Sequence, residues 1–160
     1  MMVYVDSPPP QFALEHVSRI CRIITSPGGN ALLVGLGGSG RQSLSRLAAY
    51  IEEFEVFQIE ISKTYGKLEW GEDIKKVLKL AGEANKPVVF LFADTQIKEE
   101  SFVEDISNLL NTYEVPNLLQ SSDLVPIFEN IRTRAKSAGM DGSREQLYNF
   151  FMLEVREDTE

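Results

Sequence analysis

The sequence predicts one α/β domain built on a mainly parallel sheet. Three observations carry this: apolar runs of strand length alternate with runs of helical periodicity, the run "PVVFLFAD" (Pro87 to Asp94) is almost unbroken, and a glycine-rich turn joins a strand to a helix. An unbroken apolar run of that length reads as a strand covered on both faces, as in parallel sheets. At 160 residues the chain is long enough for one domain with a real core and too short for two ordinary ones.

Taken in order, proline at 8, 9 and 10 rules out helix and marks a stiff lead-in over 1–10. Ala13, Leu14, Val17, Ile20, Cys21 and Ile24 then recur at helical spacing, and "SPGG" (Ser26 to Gly29) stops that helix. A short apolar run, Ala31 to Val34, reads as a strand. It meets the turn "GLGGSG", behind which Leu44, Leu47, Ala48 and Ile51 make one helix face. "EVFQIEI" (Glu55 to Ile61) is a second strand, and Ile74, Val77, Leu78 and Ala81 line a helix that "ANKP" ends. After the Pro87–Asp94 strand the pattern is helical. Phe102, Val103, Ile106, Leu109 and Leu110 form one stripe; Leu124, Ile127, Phe128 and Ile131 form another behind a cap at Asp123. A last helix begins at Ser143, with Ser143 and Gln146 at capping-box spacing, and turns Leu147, Phe150 and Phe151 inward. The core therefore spans 11–151, with 152–160 as a tail. A ligand of such a fold lies beyond the carboxyl ends of the strands.

Composition excludes several classes of function. Sixteen Lys/Arg against 24 Asp/Glu give a net charge of -8, and no basic face gathers in the sequence, so nucleic acid is not an expected partner. No run approaches the roughly 18 apolar residues that span a bilayer, and the amino-terminal stretch has no signal-peptide pattern, so no membrane is expected either. The single cysteine, Cys21, excludes an internal disulfide and suits a reducing, cytoplasmic compartment.

The stretch "ALLVGLGGSGRQS" (Ala31 to Ser43) fits two phosphate-binding fingerprints. One is G-x-G-x-x-G for dinucleotides, supported by Glu60, roughly 20 residues after Gly40, where such folds place the acid that binds a ribose hydroxyl. The other is the P-loop, G-x-x-x-x-G followed by Lys and Ser/Thr, broken here by Arg41 and Gln42 at those two positions. Asp94, closing an apolar strand, favours the second, since P-loop proteins keep there the carboxylate that holds Mg²⁺. Guanine is disfavoured: Asp94 opens "DTQI" and not D-x-x-G, and Asn85-Lys86 runs into Pro87 with no aspartate after it. On either reading, backbone N–H groups at a helix amino end favour an anion.

"GNALLVGLGGSGRQSLSRLAAY", "YGKLEWGEDIKKVLKLAG" and "VVFLFADTQIKEESFVEDISNLLNTYEVPNL" together resemble the fourth AAA+ module of axonemal dynein heavy chains, over about His16 to Phe151. The resemblance implies a P-loop NTPase fold of AAA+ type, three layers α/β/α, assembled with neighbouring AAA+ modules of the same heavy chain in a ring. That motor walks on microtubules in the axoneme of a cilium or flagellum. It implies ATP or ADP as ligand, with or without Mg²⁺, wrapped by Gly35, Leu36, Gly37, Gly38, Ser39, Gly40, Arg41, Gln42 and Ser43, with N–H donors from Gly38 to Arg41 and with Asp94 as the metal carboxylate.

Catalysis is not implied with it. Arg41 pairs with phosphate oxygens but is broader than an ammonium and does not sit as a point charge between phosphates. Gln42 offers a carbonyl in place of a compact hydroxyl to Mg²⁺. Thr95 stands where hydrolysing modules carry a glutamate that deprotonates water, a contribution of typically some 10² to 10⁴-fold. Glu99 and Glu100 reach that position only if the chain folds back, and Gln96 fits either a water or a neighbouring loop. No catalytic residue is therefore expected, and a degenerate loop kept only as a tight turn is the competing reading. The resemblance also places a sensor strand between the P-loop strand and the Asp94 strand. That strand is expected beyond Glu160, which makes the chain a partial large subdomain, incomplete at its carboxyl end. Val3 to Asp6 is the one spare β-prone run available to fill the gap.

Other conspicuous residues have plain readings. His16 is a surface histidine, Cys21 lies on a core-facing helix side, and Trp70 packs against the sheet. The acids of "KEESFVED" form a solvated helix start.

Overall fold

The computed structural model describes residues 11–158; the lead-in at 1–10, with its Val3–Asp6 run, and residues 159–160 lie outside the described residues. In chain order the elements are α1 (Gln11–Ile24), α2 (Arg41–Ile51), β1 (Glu55–Gln58), α3 (Lys67–Leu78), β2 (Val88–Leu91), α4 (Glu100–Thr112), α5 (Ser121–Ser137) and α6 (Arg144–Asp158). A π turn, Lys79–Glu83, extends α3, and a 3-10 turn, Asp94–Gln96, follows β2.

β1 and β2 pair in parallel, Val56 opposite Val89 and Phe57 opposite Phe90. Alternation along a strand then sends the two pairs to opposite faces. Val56, Val89 and Leu91 join Val17, Ile20 and Ile24 of α1 and Ala48 and Ala49 of α2 in one apolar cluster. Phe57, Phe90 and Phe92 pack against the larger cluster built by α3, α4, α5 and α6. The nearly unbroken apolar run of β2 is thus explained: it has helices on both sides, giving three layers around a small parallel sheet.

The larger core is aromatic at its centre. Trp70 lies flat on Phe102, with ring centroids 4.4 Å apart and planes 8° from parallel, and meets Phe92 at 5.4 Å. Its indole N–H donates to Asp105 Oδ2 at 2.8 Å, so the one polar atom of a fully buried ring is satisfied. Leu147, Phe150 and Phe151 face inward from α6, as their spacing predicts. Ile74, Val77, Leu78 and Ala81 are buried as well.

Several expectations need correction. Ala31–Val34 is not a strand: residues 29–36 carry no regular structure, because no neighbouring strand pairs with them in the described sheet. Leu33 still packs inward, while Leu32 and Val34 are 90% and 85% exposed. The two strands that form are shorter than the runs that announce them, since a ladder ends where the partner ends. On α2 the buried face is Ser45, Ala48 and Ala49, with Leu47 and Ile51 exposed. In the stripe of α4 only Phe102 is buried, with Ile106 and Leu109 partly so and Val103 and Leu110 exposed. Asp123 does not precede α5 but sits in its first turn, where Oδ2 accepts the Gln120 N–H at 3.1 Å. Ser143 Oγ accepts the Gln146 N–H at 3.3 Å, but the Gln146 side chain turns to the Asp141 N–H, so the capping box is half made.

Candidate phosphate-binding site

Three residues, Glu52 to Phe54, separate α2 from β1, so the helix runs back along the sheet with its amino end toward the strands' carboxyl ends. The Arg46 side chain meets that of Gln58, the last residue of β1, which fixes the direction. The glycine loop, less than two turns before Arg46, therefore lies at the sheet edge where β2 runs out toward Asp94. This is the edge at which open α/β sheets bind ligands.

The loop's backbone is specified by glycine at two points. Gly38 and Gly40 hold φ of +76° and +77°, left-handed values that glycine adopts at little cost. A Cβ at Gly37, Gly38 or Gly40 would meet nothing within 4 Å, so this part of the turn is open. Gly40 precedes α2 with no side-chain cap, which leaves the helix's first N–H groups and its positive dipole end without an acidic residue in the first turn. The Ser39 N–H is spent inside the loop on Leu36 O at 3.2 Å. The expected donors from Gly38 to Arg41 are thus reduced by that of Ser39.

Leu36 to Gly40, Gln42 and Ser43 are exposed, and Arg41 is half-buried. The Arg41 side chain does not reach out into solvent. Nη1 donates to Leu33 O at 3.1 Å and Nη2 to Leu36 O at 3.3 Å. Asp94 is exposed, and its Oδ1 accepts the N–H of Thr95 at 2.9 Å; among the described residues it bonds neither to Arg41 nor to Gln42. The fold brings loop and Asp94 to one edge without joining them.

Gln96 resolves one of the open alternatives. It is buried, its Nε2 donates to Ile59 O at 2.6 Å, and its Oε1 accepts the Ala93 N–H at 2.8 Å. It holds the segment after β1 against the segment after β2, the role of bracing a neighbouring loop. Lys98 repeats the contact with Ser62 O at 2.6 Å. Glu99 lies toward Gly66, with its Oε1 4.0 Å from where a Gly66 Cβ would stand. Glu99 precedes α4 and Glu100 lies in its first turn.

Among the described residues no group of three or more His, Cys, Asp and Glu side chains converges as a metal site, so a divalent ion here would depend on Asp94, phosphate oxygens and water. Cavities of about 30 and 340 Å³ lie by Tyr113 and Tyr148 and along Tyr65 to Lys76, and neither includes a loop residue. A backbone cradle for an anion needs converging N–H groups and no deep pocket. His16 stacks edge-on against Phe12 at 4.2 Å. Cys21 is half-buried beside the smaller core, where burial and then Glu52 push its thiol up.

Residues 10–159 match the family of the P-loop containing dynein motor region D4. The chain belongs to that family. It is 48% identical over 147 residues to human dynein axonemal heavy chain 3, a match covering 91% of this chain and 4% of that one. It is 51% identical over 144 residues to the dynein-1-beta heavy chain of the flagellar inner arm I1 complex of Chlamydomonas reinhardtii, covering 90% of this chain and 3% of that one. Against rat dynein axonemal heavy chain 1 it is 46% identical over 156 residues, or 98% of this chain and 3% of that one. The D4 chain thus corresponds to a small part of its axonemal relatives' length. The match favours the P-loop fingerprint over the dinucleotide one; Glu60 is exposed, and its side chain has no hydrogen-bond partner among the described residues.

Proposed function

We propose that this D4 chain is the nucleotide-holding part of an AAA+ module in an axonemal dynein ring. It binds ATP or ADP at Gly35 to Ser43 with little or no hydrolysis. The observation that carries the reading is the loop itself, left-handed at Gly38 and Gly40, open, and set at the uncapped amino end of α2 in a family defined by its P-loop. Asp94 is the carboxylate for Mg²⁺, through water. Weak chemistry follows from Thr95, whose hydroxyl is no base near neutral pH, and from the positions of Gln96 and Glu99. In the whole heavy chain the module acts with neighbouring modules of the same ring and, through the motor, on microtubules in a cilium or flagellum, as the axonemal names of its relatives support.

Isothermal titration with ATP, ADP and NADH, with and without Mg²⁺, tests this. ADP and ATP should bind with similar affinity, because Thr95 stands in place of the glutamate that would act at the γ-phosphate. Binding of NADH with none of either adenine nucleotide would sink the reading. A second reading, a ring segment whose loop is only a turn, is favoured by one observation: Arg41 is already bonded to Leu33 and Leu36 carbonyls. It predicts a heat-denaturation midpoint that no concentration of nucleotide moves.

A further inference from the structure

We propose that Arg41 is a positioning residue of the glycine loop, tying the chain entering the loop, at Leu33 and Leu36, to the start of α2 where the loop ends, and that only its remaining N–H groups serve a phosphate. Among the described residues no strand pairs with 29–36, and the Leu33 carbonyl accepts from Arg41 where a ladder would otherwise supply a donor. The Leu36 carbonyl, at the bend into the glycines, also accepts the Ser39 N–H at 3.2 Å. Nη1 and Nη2 reach these two oxygens at 3.1 and 3.3 Å. A planar guanidinium with fixed donor spacing holds two acceptors at a set separation, which a compact ammonium on a flexible stem does less well. The stem takes part too: a Cβ at Gly35 would stand 3.6 Å from Arg41 Cδ and 3.7 Å from Nε, so the side chain crosses the loop over Gly35.

The tie also accounts for a cation at the first residue of α2, where the helix dipole opposes positive charge. Two carbonyl oxygens supply the negative end that the helix does not. Two of the five guanidinium donors are committed in this way, and three remain. The part concerning phosphate rests on the nucleotide reading above; the tie does not.

The test is NMR relaxation on the full chain without nucleotide, comparing it with R41A, R41Q and R41K. Backbone order parameters of Leu36 to Gly40 should be near about 0.85 in the parent chain and fall below about 0.6 in R41A and R41Q, with R41K between. In the parent chain the Arg41 Nη protons should show hindered rotation, a measurement that needs no variant and so survives any failure of a variant to fold. Freely rotating Nη groups, or a loop equally ordered in R41A, would overturn the tie. A parallel ADP titration separates the two ideas. A loosened loop in R41A with no ADP binding by any variant keeps the tie and removes the nucleotide reading. ADP binding weakened by R41A, with loop order unchanged in its absence, does the reverse.

Discussion

Gly38, Gly40 and Gly82 are glycines for different reasons, and alanine at each should fail differently. At 38 and 40 the space is open and the cost is the left-handed backbone, about 1 kcal/mol. At 82 a Cβ would stand 2.5 Å from Phe151 Cε2 and 2.6 Å from Val155 Cγ2, where α6 crosses the π turn, and relieving that overlap costs about 1–3 kcal/mol. Urea denaturation should rank Gly82→Ala below Gly40→Ala in stability, while ADP titration should show the reverse order of damage to binding. Equal losses of both quantities in the two variants would contradict this division. Gln96 makes a sharper case, since its two hydrogen bonds serve main-chain groups of two separate segments. Gln96→Leu leaves Ile59 O and Ala93 N–H without their partner, and a midpoint shift equivalent to about 2 kcal/mol is expected in the same experiment.

Between elements, an ion pair joins α3 to α5 beside the apolar core that they share. Lys75 Nζ lies 3.1 Å from Asp123 Oδ2 and 3.1 Å from Glu72 Oε1, with the Lys75 and Asp123 side chains 17% and 19% exposed. Partial burial pushes the Asp123 carboxyl up, but the Gln120 N–H and Lys75 outweigh it, so it titrates below its ordinary value. Bonding to Glu72 and then Asp123 holds Lys75 above its ordinary value. A lowered carboxylate contributes stability above its unfolded pKa and loses it as pH falls through the folded one; a raised lysine contributes below its unfolded pKa and loses it as pH rises. The pair is therefore complete between the two ranges. Asp123→Asn keeps an acceptor for the Gln120 N–H and removes only the charge, so it should cost up to about 1 kcal/mol at pH 7 and nothing once the pH falls below the carboxylate range. A penalty that persists in acid would show that the loss is packing. Asp123 also marks how far the sequence could be read. Asp and Glu in a helix's first turn and at its cap obey the same electrostatics, so the chemistry was legible one turn better than the position. β2 was legible because covering both faces leaves an apolar run with no alternation. Ala31–Val34 was not, because a strand is defined by a partner that local pattern does not name. The loop's letters exposed its glycines and its substitutions, but that Arg41 turns back onto Leu33 and Leu36 depends on where those carbonyls point.

At the scale of the molecule the unpaired segment and α2 show one common feature. Leu32, Val34 and Leu36, at every second position of an extended chain, are 90%, 85% and 86% exposed. Leu47, Tyr50 and Ile51, on one side of α2, are 47%, 78% and 53% exposed. Scattered apolar residues on a surface need no cause, but two periodic apolar rows flanking one loop are the pattern of elements that pack. With relatives of which this chain spans 3–4%, the partner consistent with the proposed AAA+ fold is further sheet from the same heavy chain. Lysine at 32 and 34 distinguishes a surface from a seam. In the chain described here L32K/V34K should change stability by no more than about 0.5 kcal/mol per site, because both side chains already lie in water. In a longer piece of the heavy chain that supplies the added strand, the same pair should lower the denaturation midpoint several-fold more, since two charges would enter a buried sheet face with no partner. A small and equal effect in both contexts would mean that the rows stay exposed in the motor and that the sheet is not completed there.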